Sequence, residues 1–508
     1  MPNRLDLPAG FRWGVSTASY QIEGAVEEDG RGPSIWDTFA ARPGAVRDGH
    51  TGAVACDHYH RYAEDVALMQ GLGLDGYRFS IAWPRIQPTG AGPANPAGLD
   101  FYDRLVDALL TAGITPLPTL FHWDLPQALE DAGGWLNRDT AYRFAEYTAV
   151  VADRLGDRVP AWITLNEPFV HMVYGYALGI HAPGRALMLD ALPAAHHQLL
   201  GHGLAASVLR ERGLDVMIAN NLTPVRPASS SEADRAAAAA YDALHNRLFT
   251  DPILLGNYPD LSAFGVGPDL GGSVRDGDLK LIAATPLDGL GVNYYNPTRI
   301  AAPTDPALPF TEAPIEGVPR TAFDWPVVPD GLRELLTGLR DRYGAALPPV
   351  TITENGCSVA DEPAADGTVA DPDRIAYLAG HLDALATAVA EGVDVRGYFT
   401  WSLLDNFEWA EARRTYCHST AAPNRGPPGG SGPCLRTTTN HPSRARRRTL
   451  PTGPRQISTF ASPRSYGMAT SGTSRRSVRR RRRAGSGQRG TTTVSGGSGS
   501  TTCPPGPT

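Results

Sequence analysis

Two glutamates in this sequence stand where a strand should end. Glu167 closes the run Trp162-Ile163-Thr164-Leu165-Asn166-Glu167-Pro168, and Glu354 closes Val350-Thr351-Ile352-Thr353-Glu354-Asn355-Gly356. Both runs suit buried parallel strands that deliver polar groups at their C-terminal ends. A closed barrel of such strands keeps its chemistry at that end. Retaining cleavage of a glycosidic bond needs one ionised carboxylate as nucleophile and one protonated carboxyl as donor, ~5–5.5 Å apart. The donor's pKa must be raised by burial or by a negative neighbour. Arg78, in the strand-like stretch Gly76-Tyr77-Arg78-Phe79-Ser80, is expected to keep the nucleophile ionised, with Tyr295 donating to the same carboxylate. Asn166 is placed to bond a sugar hydroxyl beside the scissile bond. The bland alternative is a pair of solvated loop carboxylates, which leaves these flanking residues without a role.

The elements that must position these groups alternate along the chain. Strands are predicted at residues 11–16, 76–80, 115–120, 162–166, 215–220, 287–295, 350–354 and 395–401. Helical patterns lie between them at 58–69, 100–111, 139–155, 191–212, 231–249, 332–343 and 371–391. A Pro-rich insertion at 301–329 reads as loop. Eight strands alternating with helices predict an α/β fold, a closed (β/α)8 TIM barrel, and every polar candidate falls at a strand's C-terminal end. Phe121-His122-Trp123-Asp124 adds an imidazole and a flat apolar ring just past the third strand, an arrangement suited to a sugar as well as to a packed core. His58 and His60 lack a third ligand at metal spacing, so no metal site is expected there.

Bulk properties narrow the class. Hydrophobic residues make up 42% of the 508, ample for a core. Nowhere do 18 apolar residues run together, so no membrane span is expected. The five cysteines include no C-x-x-C pair, and residues 1–8 lack the apolar stretch of a signal peptide. A cytoplasmic location is the simplest expectation. Charge is badly divided: residues 412–508 hold 18 Arg and no Lys, Asp or Glu, so against a total of −7 the first 411 residues carry −25.

Longer stretches then carry a resemblance over residues 8–410. Phe11-Arg12-Trp13-Gly14-Val15-Ser16-Thr17-Ala18-Ser19-Tyr20-Gln21-Ile22-Glu23-Gly24-Ala25, Tyr77-Arg78-Phe79-Ser80-Ile81-Ala82-Trp83, Phe121-His122-Trp123-Asp124-Leu125-Pro126, Thr164-Leu165-Asn166-Glu167-Pro168 and Thr353-Glu354-Asn355-Gly356 occur in this order. Together they resemble glycoside hydrolase family one, the β-glucosidase family. The resemblance implies that Glu167 is the acid/base and Glu354 the nucleophile. It implies that Gln21, His122, Asn166, Asn293, Tyr295, Trp401, Glu408 and Trp409 line the subsite of the non-reducing sugar, and that Trp325 borders the leaving-group side. Glu167 stands where the thioglucosidase branch has glutamine. Glu408-Trp409 looks like the form that grips the 4- and 6-hydroxyls of an unphosphorylated sugar. The implied activity is hydrolysis of terminal β-D-glucosyl residues by double displacement, on β-glucosides and cello-oligosaccharides, as in cellulose degradation, with tolerance of galactose or fucose. It requires no metal or organic cofactor. The oligomeric state is left open.

The resemblance stops after Ala410, so the chain divides into a barrel at 1–410 and a tail at 411–508. The tail is Arg, Pro, Gly, Ser and Thr with no apolar period, a composition that reads as disordered. Three readings stand: a basic segment binding an anionic surface, a linker, or translation in a shifted frame of a G/C-rich gene. The last is favoured, because Arg replaces Lys almost throughout and Lys280 is the single lysine. A nucleic-acid partner would rest on this tail alone, and none is expected. On this reading the eighth helix is missing. Several hundred Å² of uncovered apolar surface costs on the order of 10 kcal/mol, so the alternative function is an impaired barrel that binds carbohydrate.

Overall fold

Each barrel strand pairs in parallel with the next, and the last pairs with the first. In this computed structural model, which describes residues 7–304, 309–360, 369–411 and the backbone of 413–414, the barrel strands are β1 (Arg12–Ser16), β2 (Gly76–Ser80), β3 (Thr115–Phe121), β4 (Ala161–Asn166), β5 (Asp215–Asn221), β6 (Gly289–Asn293), β7 (Val350–Asn355) and β8 (Val395–Trp401). The intervening helices are α1 (His58–Gly71), α2 (Pro96–Thr111), α3 (Asp139–Leu155), α4 (Leu192–Glu211), α5 (Glu232–His245), α6 (Asp330–Tyr343) and α7 (Pro372–Ala390). The predicted barrel is therefore present among the described residues. The expected tail, with the place of an eighth helix, falls almost entirely outside them.

Differences from the predicted elements have local causes. Helix α2 begins at Pro96 rather than at residue 100, because proline suits the first helical turn, where its absent N–H is not missed. Strand β3 carries Pro116 and Pro118 inside a closed barrel, where strand prolines are normally excluded. Its ladder to β4 is confined to Thr119 and Phe121, beyond both prolines, while its pairing with β2 runs from Thr115 to Thr119. The predicted loop at 301–329 contributes a strand, Thr311–Ala313, to a three-stranded sheet with Val225–Pro227 and Thr298–Ala301.

Apolar packing is two-layered. Leu117, Ile163, Met217, Ala219 and Phe399, from β3, β4, β5 and β8, form a small separate cluster. A much larger one joins the barrel strands to the helices, with Trp36, Trp83, Trp135 and Trp162 fully buried. The register shifts between Ile163 and Asn166 on β4, and between Ile352 and Glu354 on β7. Both irregularities sit immediately before the candidate glutamates, and such bulges re-aim side chains at strand ends.

Candidate active site

The bulges let neighbouring residues face the same way. Thr353 donates from Oγ1 to Asn293 Oδ1 (2.6 Å), while the next residue, Glu354, accepts from Arg78 Nη1 at 2.6 Å and from the Tyr295 hydroxyl at 2.7 Å. Each Glu354 oxygen thus has its own donor, Arg78 on one and Tyr295 on the other. Arg78 is buried in β2 and spends its other donors on Asn166 Oδ1 (2.6 Å), Thr119 Oγ1 (3.1 Å) and the Thr353 carbonyl (3.1 Å). A buried ion pair is tolerable only when its remaining polar atoms are satisfied in this manner.

Glu167 sits at the turn from β4 into Pro168–Val170, with left-handed backbone at φ 44° and ψ 59°. That conformation is costly for a residue with a Cβ, by about 1–3 kcal/mol, and such strain clusters at working sites. Its Oε1 accepts from Asn293 Nδ2 (2.8 Å) and from Asn221 Nδ2 (3.1 Å). Burial, and next the charge of Glu354, push its carboxyl up to about 8, against the two amide donors and Arg78. One carboxylate is therefore clamped by a cation and a phenol. The other is held protonated near neutrality by desolvation and by the first.

The remaining predicted residues surround this pair. Asn166 donates to His122 Nε2 (3.0 Å), and burial followed by the charge of Arg78 keeps that imidazole well below its ordinary range, hence neutral. Its Nδ1 and the Gln21 carbonyl oxygen are buried with no partner among the described residues. Buried polar atoms of this kind call for hydrogen bonds that a ligand hydroxyl can supply. Gln21 spends its amide on Asn406 Oδ1 (3.0 Å), the Phe407 carbonyl (2.9 Å) and Glu408 Oε2 (3.2 Å). Desolvation and the charge of Glu354 raise the Glu408 carboxyl well above its usual range. Trp401 and Trp409 lie 5.9 and 5.8 Å from the His122 ring, nearly parallel to it. Trp325 stands 5.4 Å from Tyr295 and stacks on Phe323 at 5.0 Å.

Sequence reasoning missed Asn221. It lies at the C-terminal end of β5, and the rule applied to β4 and β7 would have found it had it been applied to that strand. Trp123, which suits a sugar as well as a packed core, is as buried as Trp409. Its ring packs 4.6 Å from Trp409 and its Nε1 donates to the Asn166 carbonyl (2.9 Å). Among the described residues no group of three His, Cys, Asp or Glu could hold a metal ion. His58 bonds Asp65 (2.7 Å), and His60 bonds Asp57 (2.6 Å) and Glu28 (3.0 Å). Nor is any described helix long and apolar enough to cross a membrane.

Comparison with known proteins matches residues 3–416 to the family described as Glycosyl hydrolase family 1. The chain is 53% identical over 413 residues to the thermostable beta-glucosidase B of Thermobispora bispora, covering 80% of this chain and 84% of that one. It is 45% identical over 409 residues to a 1,4-beta-D-glucan glucohydrolase of Thermotoga neapolitana, covering 80% and 95%. The crystal structure of the psychrophilic beta-glucosidase BglU from Micrococcus antarcticus superposes with a TM-score of 0.77 at 49% identity, covering 80% of this chain and 91% of that one.

Proposed function

This chain belongs to glycosyl hydrolase family 1, and from that premise we propose that Glu354 is the nucleophile and Glu167 the acid/base of its double displacement. The chain is a retaining β-glucosidase, releasing terminal β-D-glucosyl residues through a covalent glycosyl-enzyme. What supports the division of labour is the contrast between the two carboxyls. Glu354 receives a donor on each oxygen, whereas burial and its neighbour's charge raise Glu167 to about 8.

The chemistry follows. A Glu354 oxygen attacks the anomeric carbon as the glycosidic bond breaks, and the Glu167 proton passes to the departing aglycone oxygen. Esterification removes the Glu354 charge, and with it the second-largest cause of the raised Glu167 pKa. Glu167, now more acidic, is left as a carboxylate able to take a proton from water. That water attacks the anomeric carbon from the face the aglycone left, and Glu354 departs. Gln21, His122, Asn166, Asn293, Trp401, Glu408 and Trp409 hold the glucosyl unit, and Trp325 borders the leaving group beside Tyr295. Glu408 suits free hydroxyls, and its buried carboxyl offers a phosphate no counter-charge. Cello-oligosaccharides are the proposed natural substrates, supported by the glucan glucohydrolase relative, with tolerance of galactosides and fucosides.

The test is the pH dependence of kcat/KM on phenyl β-glucoside. Glu167 must be protonated in free enzyme, so activity holds below about pH 8 and falls as pH rises through that value. Glu167→Gln should remove this alkaline limb. A limb that persists in that variant overturns the assignment.

We also propose that residues 1–410 are the catalytic domain and that 411–508 are an out-of-frame translation, in a protein that resides in the cytoplasm. The family match ends at residue 416, close to where acidic residues cease. The family that the chain resembles continues past this point with a pattern like G-Y-x-x-R-F-G-L and a V-D-Y segment, so mass spectrometry of the native host's cytoplasmic fraction should yield barrel peptides followed by sequences of that kind. Arg-rich tail peptides, or the protein's absence from that fraction, overturn the respective claim.

A further inference from the structure

Beyond the residues that touch substrate, we infer that His245 is a positioning residue: it fixes the orientation of the Asn221 amide and so supplies Glu167 with one of its two side-chain donors. The inference rests on reading Glu167 as the acid/base. Three hydrogen bonds form a relay from helix α5 to the site. Tyr241 OH meets His245 Nδ1 at 3.1 Å, His245 Nε2 meets Asn221 Oδ1 at 3.1 Å, and Asn221 Nδ2 meets Glu167 Oε1 at 3.1 Å.

A carboxamide can turn either end toward a neighbour, and only its NH2 end suits a carboxylate. The far end of the relay decides which. His245 is buried, and desolvation lowers its pKa to about 3, so it is neutral and carries one ring hydrogen. The Tyr241 hydroxyl, which also bonds the Thr298 side chain, faces His245 Nδ1 at 3.1 Å, and in this relay its hydrogen goes to that nitrogen. The ring hydrogen must then be on Nε2, facing Asn221, and an N–H there donates only to the amide's carbonyl end. The NH2 end is thereby turned to Glu167. Tyr241 and His245 are one helical turn apart on α5, so the phenol and the imidazole meet. Phe169, two residues beyond Glu167, packs on the His245 ring at 3.9 Å and fixes its plane.

The groups facing Glu167 are otherwise accounted for. Glu354 and Arg78 act from the barrel, Asn293 supplies the second amide, Glu408 lies across the subsite, and Tyr174 approaches from the π-helical segment His171–Ala177. Glu312 acts on Tyr174 and Tyr241 from the outer sheet. None of these can stand in for the Asn221 donor.

The experiment measures the alkaline limb of kcat/KM on phenyl β-glucoside for His245→Leu, His245→Gln, Tyr241→Phe, Asn221→Ala and the double variant His245→Leu/Asn221→Ala. A donor to the charged form lowers a carboxyl's pKa, so its loss should move the limb upward by about 0.5–1 pH unit. His245→Leu and Asn221→Ala should shift it alike, and the double variant no further, because both act through one bond. Gln keeps an N–H near the position of Nε2, so His245→Gln should stay close to wild type. Tyr241→Phe should shift the limb in the same direction even if His245→Leu does not fold. A folded His245→Leu with an unmoved limb overturns the inference whatever its Tm, and so does a double variant whose shift is the sum of the singles. If instead Glu167→Gln retains the limb, the acid/base reading has failed and not this one alone.

Discussion

Glu354→Gly should lower turnover of 2,4-dinitrophenyl β-glucoside by on the order of 10⁶-fold, the scale on which removal of a nucleophile acts in a preorganised site. The substrate still binds, because the residues around Gln21, His122 and Glu408 are untouched. What is lost is the atom that attacks. The substitution also leaves Arg78 and the Tyr295 hydroxyl aimed at an emptied position. A small anion is the species those donors favour, so azide should restore turnover. It attacks from the nucleophile's side in one displacement, and the product is the α-glucosyl azide, read by NMR. Failure of azide to rescue a folded variant, or formation of the β-azide, would reverse or remove the role given to Glu354.

Glu167→Gly should divide substrates by leaving group. Phenyl β-glucoside and cellobiose need a proton as the bond breaks, and should lose about 10²–10⁴-fold in kcat/KM. The 2,4-dinitrophenyl glucoside needs none, so its glycosylation step should persist and a burst of phenolate should precede slow deglycosylation. Azide, with no need of a general base, should accelerate that second step and give the β-glucosyl azide after two inversions. Opposite anomers from the two variants are the sharpest check on which glutamate does which. An equal loss on every aryl glucoside, without a burst, would overturn the assignment.

Both results depend on two similar carboxyls being made different, and no reading of composition explains that. The raised pKa of Glu167 comes from burial and from Glu354, a residue 187 positions along the chain. The pairing of Arg78 with Glu354 rather than with Glu167 is likewise a matter of barrel geometry. The sequence marks the three strands involved, but it carries no distances.

By itself, then, the sequence determined the order of eight strands and the seven helices between them, because buried parallel strands and amphipathic helices have periods that read locally. It also determined which polar residues stand on or just past the strands, Glu167, Glu354, Arg78, Asn166 and His122 among them, and through longer motifs the family. Only the tertiary structure decided how those ends are aimed. Simple alternation would turn Thr353 and Glu354 to opposite faces; the bulge in β7 lets both bond toward the barrel mouth. The same holds at Asn166 and Glu167, with the left-handed turn at Glu167 added. The prolines of β3 are tolerated because the β4 ladder begins beyond them. His245 reaches Glu167 only through Asn221, a contact made between α5 and β5. The physical reason is common to all of these. Bulges, strained turns and relayed hydrogen bonds are stabilised by contacts between residues distant in sequence, so no local window contains the forces that set them.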